Sequence, residues 1–174
     1  MKILRFRKDD NIKPGILDNE GFIRDVSEII EDWKNTTINE NKINLIKSSD
    51  FLTLPKVDKI DGFDTPISKS SIGKFICIGL NYSDHAAETG QEVPKEPIIF
   101  MKATSSICGP NDNVIIPKNS FKSDWEVELG VIISKEAKYI SENQSQDHIA
   151  GYCVVNDLSE REFQLEHLGQ WVKG

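Results

Sequence analysis

The chain has 174 residues and a formal net charge of -7, with 38% hydrophobic and 28% charged residues. This composition favours a folded globular protein over a disordered one, and the length allows a small domain followed by part of a second. The acidic balance, without a lysine- and arginine-rich run, argues against a nucleic-acid partner. No apolar run approaches the roughly 20 residues that span a bilayer, so we expect no membrane association.

The N-terminus and the cysteines predict a reducing compartment. The first residues are basic but are not followed by the apolar core of a signal peptide, so we expect a cytoplasmic protein. Cys77, Cys108 and Cys153 form no Cys-x-x-Cys pair, and their number is odd. We therefore expect reduced thiols, and a catalytic role for Cys108 is the weaker reading.

The first third of the chain predicts a small α/β unit without chemistry. Residues 1–26 read as short strands, with turn signals at residues 14–15 (Pro-Gly) and 19–21. Residues 27–35 have helical spacing of apolar side chains, with Ser at the N-cap position, and residues 38–48 predict a second helix.

A change of composition marks a predicted domain boundary. Proline and serine become frequent in residues 49–72, which is typical of an extended connection between domains. The boundary is placed near residue 70. We expect an N-terminal accessory domain with its linker over residues 1–70 and a catalytic domain over residues 71–174.

The second part of the chain predicts a mainly β domain. Residues 74–79 and 98–102 are apolar strands of the kind that a sheet buries on both faces. Residues 114–117 form a short predicted strand with an edge-type proline. Residues 148–155 predict another strand, and a helix is expected to begin at residue 158, with the capping-box spacing of a serine and a glutamate.

A short helix is predicted between the first two strands of that domain. Ser83 is a candidate N-cap and Gly90 a candidate C-terminal stop. His85 and Glu88 are three residues apart and would share one face of the helix. A carboxylate beside an imidazole can support a general base, but an ordinary surface pair on a capped helix is the more common case.

Three carboxylates predict a metal site. The stretch from residue 124 to residue 133 reads as one strand, in which Glu126 and Glu128 share a face with Asp124. Asp157 ends the apolar run of the next strand. Carboxylates brought together repel one another unless a cation lies between them, and oxygen ligands suit Mg²⁺ or Mn²⁺.

Four blocks in order resemble the fumarylacetoacetate hydrolase superfamily. Residues 78–88 resemble its first signature, and residues 97–107 its second block. Residues 124–130 and 151–161 are similar to its metal-binding core. The resemblance implies an α+β, mainly β fold, in which a small N-terminal α/β domain precedes a partial mixed β-sandwich roll.

The resemblance also implies roles for individual residues. It implies that Mg²⁺, or alternatively Mn²⁺ or Ca²⁺, is held by three carboxylates, and that a histidine and glutamate pair activates water. A lysine would contribute near the metal, and three further side chains would bind substrate. The metal ligands are Glu126, Glu128 and Asp157, the catalytic residues are His85, Glu88 and Lys102, and the substrate-binding residues are Arg161, Gln164 and Tyr82.

The implied reaction is hydrolytic cleavage of a carbon–carbon bond in a small 2,4-dioxo acid, either an acylpyruvate or a diketo-deoxy-sugar acid. Part of the sequence resembles a subgroup of this family that is labelled ureidoglycolate lyase or 2,4-diketo-3-deoxy-sugar-acid hydrolase. Ureidoglycolate lyase, or an isomerase or decarboxylase of oxo acids, therefore remains an alternative on the same metal core.

The family usually continues beyond the final lysine and glycine of this sequence. We therefore expect a chain truncated at its C-terminus, and the non-enzyme alternative is an inactive fragment with residual metal binding. The resemblance further implies a homodimer for the full-length protein.

Overall fold

Strands dominate this chain. The computed structural model describes every residue from Met1 to Gly174 and places more residues in strands than in helices, which confirms the predicted mixed fold. The strands are β1 (Lys2–Lys8), β2 (Asn11–Leu17), β3 (Ile23–Asp25), β4 (Lys56–Val57), β5 (Gly62–Phe63), β6 (Phe75–Gly79), β7 (Ile98–Lys102), β8 (Ser123–Asp124), β9 (Val127–Ile133), β10 (Ile149–Asn156) and β11 (Ser159–Glu160). The α-helices are α1 (Glu40–Ser48) and α2 (Ser83–Glu88). Shorter 3-10 turns span Phe51–Thr53, Lys69–Ser71, Thr104–Ser106, Glu142–His148 and Trp171–Lys173, and a π-helical turn spans Glu162–Glu166.

The chain divides into two compact units. Unit 1 comprises Met1–Ser71, Cys108–Val114 and Val127–Asp157, and unit 2 comprises Ile72–Ile107, Ile115–Glu126 and Leu158–Gly174. The expected domains over residues 1–70 and 71–174 stay a prediction. No helix in either unit has the length and hydropathy needed to cross a bilayer.

Unit 1 contains a five-stranded sheet with the order β4-β3-β2-β1-β5. The predicted turn over residues 19–21 is confirmed, since it joins the antiparallel strands β2 and β3. Part of the segment over residues 49–72, which was expected to be an extended connection between domains, belongs to this sheet. This segment supplies β4, which pairs with β3, and β5, which pairs with β1.

The first hairpin turns at Asp9 and Asp10. Both have positive φ angles, 51° and 62°, as a two-residue hairpin of type I′ requires. The turn predicted at Pro14 and Gly15 is wrong, because both residues lie inside β2. A Cβ on Gly15 would lie 2.9 Å from a methyl group of Leu4, so close packing explains this glycine.

The helix predicted over residues 27–35 is wrong, because the segment forms turns. Polar side chains satisfy its backbone locally and compete with helical hydrogen bonds. The Ser27 amide donates to the Asp25 carboxylate at 2.8 Å, and the Trp33 amide donates to the Asp32 carboxylate at 2.8 Å. The apolar residues of the segment are still buried, but as part of a turn.

The second predicted helix is confirmed as α1. The Asn39 side chain caps it by accepting a hydrogen bond from the Lys42 amide at 3.0 Å. Ile46 is fully buried, and it joins the core of unit 1. The buried apolar residues of that core are Ile16, Val26, Ile30, Trp33, Ile38 and Ile46.

A buried ion network holds one loop in unit 1. Arg5 donates to Asp32 at 2.7 and 3.0 Å and to Asp64 at 2.9 Å. Arg7 donates to Asp64 at 3.0 and 2.8 Å and to Asp112 at 2.5 and 3.0 Å. Asp112 lies in the Cys108–Val114 segment, so Arg7 ties this loop to β1.

Acid should loosen this attachment. Hydrogen bonds from Arg7 and from the Gly109 amide lower the pKa of Asp112 from 3.8 to about 2. Because the folded-state pKa lies below the unfolded value, the unfolded chain binds more protons, and the stabilisation is lost as the pH falls from about 4 toward 2. We expect Asp112→Asn to lower stability at pH 7 and to weaken the loss of stability in acid. The measurement is the free energy of unfolding in urea at several pH values, with the exposed Asp58→Asn as the control. If the two variants showed the same pH dependence, the expectation would be contradicted.

An antiparallel ladder of β9 and β10 completes unit 1. β10 confirms the strand predicted over residues 148–155, and the 3-10 turn Glu142–His148 directly precedes it. The continuous strand predicted from residue 124 is wrong, because β9 begins at Val127. Trp125 and Glu126 interrupt it, and β8 pairs instead with β11.

Unit 2 contains the antiparallel pair β6 and β7, which confirms both predicted strands. The expectation that they are buried on both faces is wrong, because Ile76 is 53% and Ile99 67% exposed. Nothing packs over one face of this two-stranded sheet. Trp171 packs edge-on against Phe100 at 5.3 Å, and a Cβ on Gly79 would lie 2.5 Å from the Trp171 ring.

Two further predictions for the second part of the chain are wrong. Residues 114–117 form no strand, and Ile115 is 89% exposed, so no sheet edge receives this segment. The helix expected from residue 158 begins later, because Ser159 and Glu160 form β11. Of the predicted capping box, Ser159 therefore lies in β11, whereas Glu162 begins the π-helical turn, whose N-cap residue is Arg161.

Candidate active site

The three predicted metal ligands lie at or beside β9 and β10. Glu128 lies within β9 opposite Val155 in β10. Asp157 directly follows β10 and is buried, and both residues belong to unit 1. Glu126 belongs to unit 2 and directly precedes β9. No group of three or more His, Cys, Asp or Glu side chains is arranged to hold a metal ion, so the ligand assignment stays a prediction.

The centre of the candidate site in unit 2 is the guanidinium group of Arg161. Its Nε and Nη2 atoms donate to one carboxylate oxygen of Asp124 at 3.1 and 2.9 Å. Nη2 also donates to Glu126, and Nη1 donates to the amide oxygen of Gln164 at 3.0 Å. One arginine thus joins two acidic side chains and a buried amide. Arg161 and Asp124 are 37 residues apart in the chain.

Charge pairing perturbs both partners of this cluster. Hydrogen bonds from Arg161 lower the pKa of Asp124, burial opposes the shift, and the hydrogen bond from the Trp125 amide lowers it further. Burial works to lower the pKa of Arg161, but its bonds to Asp124 and Glu126 raise it overall.

The chemistry of these side chains fits a divalent cation. All three predicted ligands offer carboxylate oxygens, which Mg²⁺ and Mn²⁺ prefer. Glu126 already binds a positive charge, the guanidinium of Arg161, at a side chain that is 18% exposed. The carboxylate of Glu126 thus already has a cationic partner, and its role as a metal ligand stays a prediction.

The predicted base lies on α2, which confirms the short helix. Leu80 has a left-handed φ of 52° and turns the chain from β6 toward this helix. Tyr82 is its N-cap residue and is exposed, whereas Ser83 was expected in that position. His85 is half-buried, and no hydrogen bond joins its side chain to that of Glu88. The pairing of these two residues stays a prediction.

Lys102 lies at the end of β7 and reaches the C-terminal part of unit 2. Its Nζ donates to the backbone oxygen of Leu158 at 2.7 Å and to that of Gly174 at 3.4 Å. Leu158 follows Asp157 in the chain, so the ammonium group supports the backbone next to a predicted ligand. This placement agrees with a supporting role and leaves catalysis by Lys102 as a prediction.

Sequence reasoning missed the roles of one residue in the Arg161 cluster and of one residue next to it. Asp124 was placed on the acidic face of a strand, but its two bonds with Arg161 could not be read from alternation. Glu160 was placed in a helix, although it is a buried acceptor in β11. The only signal for either was an acidic residue within one of the family-like blocks.

Comparison with known sequences identifies the second part of the chain. The family model for the C-terminal domain of fumarylacetoacetate (FAA) hydrolase matches residues 74–174. A protein of Burkholderia ambifaria named "Putative hydrolase" is 51% identical over 174 residues, which are 100% of this chain and 61% of that protein. The chain thus spans 61% of the length of this curated relative.

Solved structures share the fold. A fumarylacetoacetate hydrolase from the psychrophilic Exiguobacterium antarcticum superposes with a TM-score of 0.75 and 26% identity, over 97% of this chain and 59% of that one. A protein of Mycobacterium abscessus, described as a probable 2-hydroxyhepta-2,4-diene-1,7-dioate isomerase, gives 0.72 and 26%, over 99% and 57% of the two chains.

Proposed function

This chain belongs to the fumarylacetoacetate hydrolase family, and from that premise we propose that it carries the site of a divalent-metal-dependent hydrolase. The proposed reaction cleaves a carbon–carbon bond in a small 2,4-dioxo acid, such as an acylpyruvate or a diketo-deoxy-sugar acid. The observation that carries the proposal is the Arg161 cluster, in which one guanidinium group joins Asp124 and Glu126 in the same unit as His85. A guanidinium group is the donor that matches the carboxylate of an acidic substrate.

Glu126, Glu128 and Asp157 would hold the cation. When bound, a divalent ion supplies Lewis acidity to the substrate's carbonyl oxygens. The oxygens of these three carboxylates are of the kind that such an ion prefers as ligands. Mg²⁺ is the proposed ion, with Mn²⁺ and Ca²⁺ as the alternatives that the same donor set accepts.

His85 would remove a proton from water. An imidazole titrates near neutral pH and can accept this proton as water attacks the substrate's carbonyl carbon. The carbon–carbon bond then breaks, and its electron pair remains on the pyruvate half, which recovers the proton from His85. Glu88 would orient the imidazole once its side chain turns toward it, and Lys102 would stabilise the surrounding backbone.

Arg161 and Gln164 would position the substrate. The guanidinium group offers planar donors that match a carboxylate, and the buried Gln164 amide holds it from the other side. Tyr82 is exposed beside α2 and would contact the substrate's variable end. In this proposal, the residues that follow β11 orient the substrate, and a residue of α2 transfers the proton.

The direct test is a panel of acylpyruvates and diketo-deoxy-sugar acids, with and without Mg²⁺. Loss of the diketone absorbance should require the ion, and a chelator should abolish it. Turnover that is indifferent to the chelator would contradict the proposal. Metal binding without turnover of any compound would favour the inactive-fragment alternative.

A second candidate is an isomerase of oxo acids, supported by the description of the M. abscessus relative. An isomerase moves a double bond without consuming water, so reaction in ¹⁸O-labelled water separates the two. Label in the product carboxylate supports hydrolysis. Ureidoglycolate and simple 2-oxo acids in the same panel test the lyase and decarboxylase alternatives.

Replacing His85 by alanine should reduce turnover much more than substrate affinity. Loss of a general base typically costs about 10²–10⁴-fold in rate, whereas the binding groups on β11 remain. We expect kcat to fall by that order and KM to change little in steady-state assays. His148→Ala is the matched control, since this half-buried histidine lies in unit 1 and its ring nitrogen is 3.4 Å from a backbone oxygen. Equal losses in kcat and affinity would indicate a binding role for His85.

The homodimer expected for the full-length protein is also part of this proposal. Sedimentation at several concentrations measures the oligomeric state directly. If the full-length protein were a monomer at all concentrations, the proposed homodimer would be refuted, and the proposed reaction would be unaffected.

A further inference from the structure

Glu160 is a buried carboxylate outside the predicted site. It is 5% exposed, although acidic side chains are rarely buried without partners. One of its oxygens accepts hydrogen bonds from the Ser120 hydroxyl at 3.0 Å and from the Lys122 amide at 3.1 Å. The other oxygen accepts from the Phe163 amide at 2.8 Å. Three donors therefore converge on this carboxylate.

The three donors lie on both sides of a short strand pair. β8 and β11 pair over two residues on each strand, Ser159 with Asp124 and Glu160 with Ser123. One further backbone bond, from the Arg161 amide to the Lys122 oxygen at 2.9 Å, extends the pair. So short a ladder is only marginally stable by itself. The bonds to the Glu160 carboxylate join the loop before β8 to the chain after β11.

The clamped residues are those that build the arginine cluster. Asp124 ends β8, and Arg161 directly follows β11, so the strand pair sets the distance between their side chains. The bond to the Phe163 amide also fixes the start of the π-helical turn that carries Gln164. Each partner that orients the guanidinium within this cluster thus depends on a segment that Glu160 holds.

We propose that Glu160 is a positioning residue, which clamps β8 against β11 and thereby orients the Arg161 guanidinium between Asp124 and Gln164. This inference rests on the proposed function only for the role of Arg161 toward substrate. The orientation itself is a property of the free protein. Glu160 contacts neither substrate nor metal in this proposal and acts through its neighbour.

The first test observes the arginine without any reaction. In the wild-type protein, the Nε proton of Arg161 should exchange slowly with solvent, since it is bonded to Asp124. Its chemical shift should also differ from that of a solvent-exposed arginine. Glu160→Gln keeps the shape but replaces one acceptor oxygen by a donor, so this resonance should shift toward the free position and exchange faster. An unchanged Arg161 signal in a folded Glu160→Gln protein overturns the proposal.

Two further variants serve as controls. Glu166→Gln removes the exposed ion pair with Lys122 but leaves the clamp intact, so the Arg161 signal should stay as in wild type. Ser120→Ala removes one of the three donors and should give a partial shift, which keeps the proposal testable if Glu160→Gln does not fold. If the Arg161 resonance shifted as far in Glu166→Gln as in Ser120→Ala, the positioning role of Glu160 would be contradicted.

The second test is a double-mutant cycle on a substrate that the panel identifies. We expect Glu160→Gln to raise KM about 10–100-fold, the usual effect of an orienting partner, with a smaller change in kcat. It should add nothing once Arg161 is already alanine, because both changes remove one interaction. Additive effects would overturn the positioning role. If no compound is turned over but the Arg161 resonance responds, the proposed function fails and the positioning role stands.

Discussion

Alanine in place of Glu126 or Asp157 should abolish metal-dependent activity in the full-length protein. Changes to groups that only support a metal ligand cost about 10–100-fold, so loss of a ligand should cost more than a hundredfold. Asp157 is buried, and Glu126 shares Arg161 with Asp124. We therefore expect no neighbouring side chain to take the place of either carboxylate. We expect Mg²⁺ affinity by calorimetry and turnover to fall together in both variants.

Two comparisons decide whether the lost activity is due to the metal. Glu136→Ala removes an exposed carboxylate from unit 1 and should leave both Mg²⁺ affinity and turnover unchanged. Circular dichroism should report a folded protein in all three variants. If turnover persists with the same Mg²⁺ dependence in Glu126→Ala or Asp157→Ala, the ligand assignment is wrong.

Trp33→Ala should produce the largest loss of stability in the chain. Trp33 is fully buried in the core of unit 1, and its indole nitrogen donates to the Gly15 backbone oxygen at 3.0 Å. Truncating a buried tryptophan leaves a cavity and typically costs about 3–5 kcal/mol. Because globular domains are stable by only about 5–15 kcal/mol, we expect a much lower midpoint of urea unfolding.

The same measurement separates packing from the hydrogen bond. Trp33→Phe keeps most of the apolar volume and loses only the indole donor, so it should cost clearly less than alanine. Trp125→Ala is the surface control, since this residue is 69% exposed, and it should change stability by less than about 0.5 kcal/mol. A loss in Trp125→Ala as large as that in Trp33→Ala would contradict the assigned core.

Local patterns predicted the elements whose stability is local. α1 has its own cap and apolar face, and β6, β7 and β10 are bounded apolar runs, so each was expected from its sequence. The segment at residues 27–35 has helical spacing too, yet it forms turns. Its Asp32 bonds to Arg5, 27 residues earlier, and local spacing carries no information about such a partner.

The candidate site shows the same limit. The types of residue that suit a metal and a base were visible at Glu126, Asp157 and His85, and so was their order along the chain. The partners of Arg161 were not visible. An arginine can pair with any nearby acid, and only the pairing of β8 with β11 selects Asp124 from the many acidic residues of this chain.

The sequence by itself therefore determined the family, the dominance of strands and the chemical types of residue available for the site. The tertiary structure alone decided that Trp125 and Glu126 interrupt the acidic strand, that Arg161 bridges Asp124 and Glu126, and that Glu160 is a buried clamp. The physical reason is that periodicity and capping act within a few residues. Burial and ion pairing depend on segments that meet only after the chain has folded.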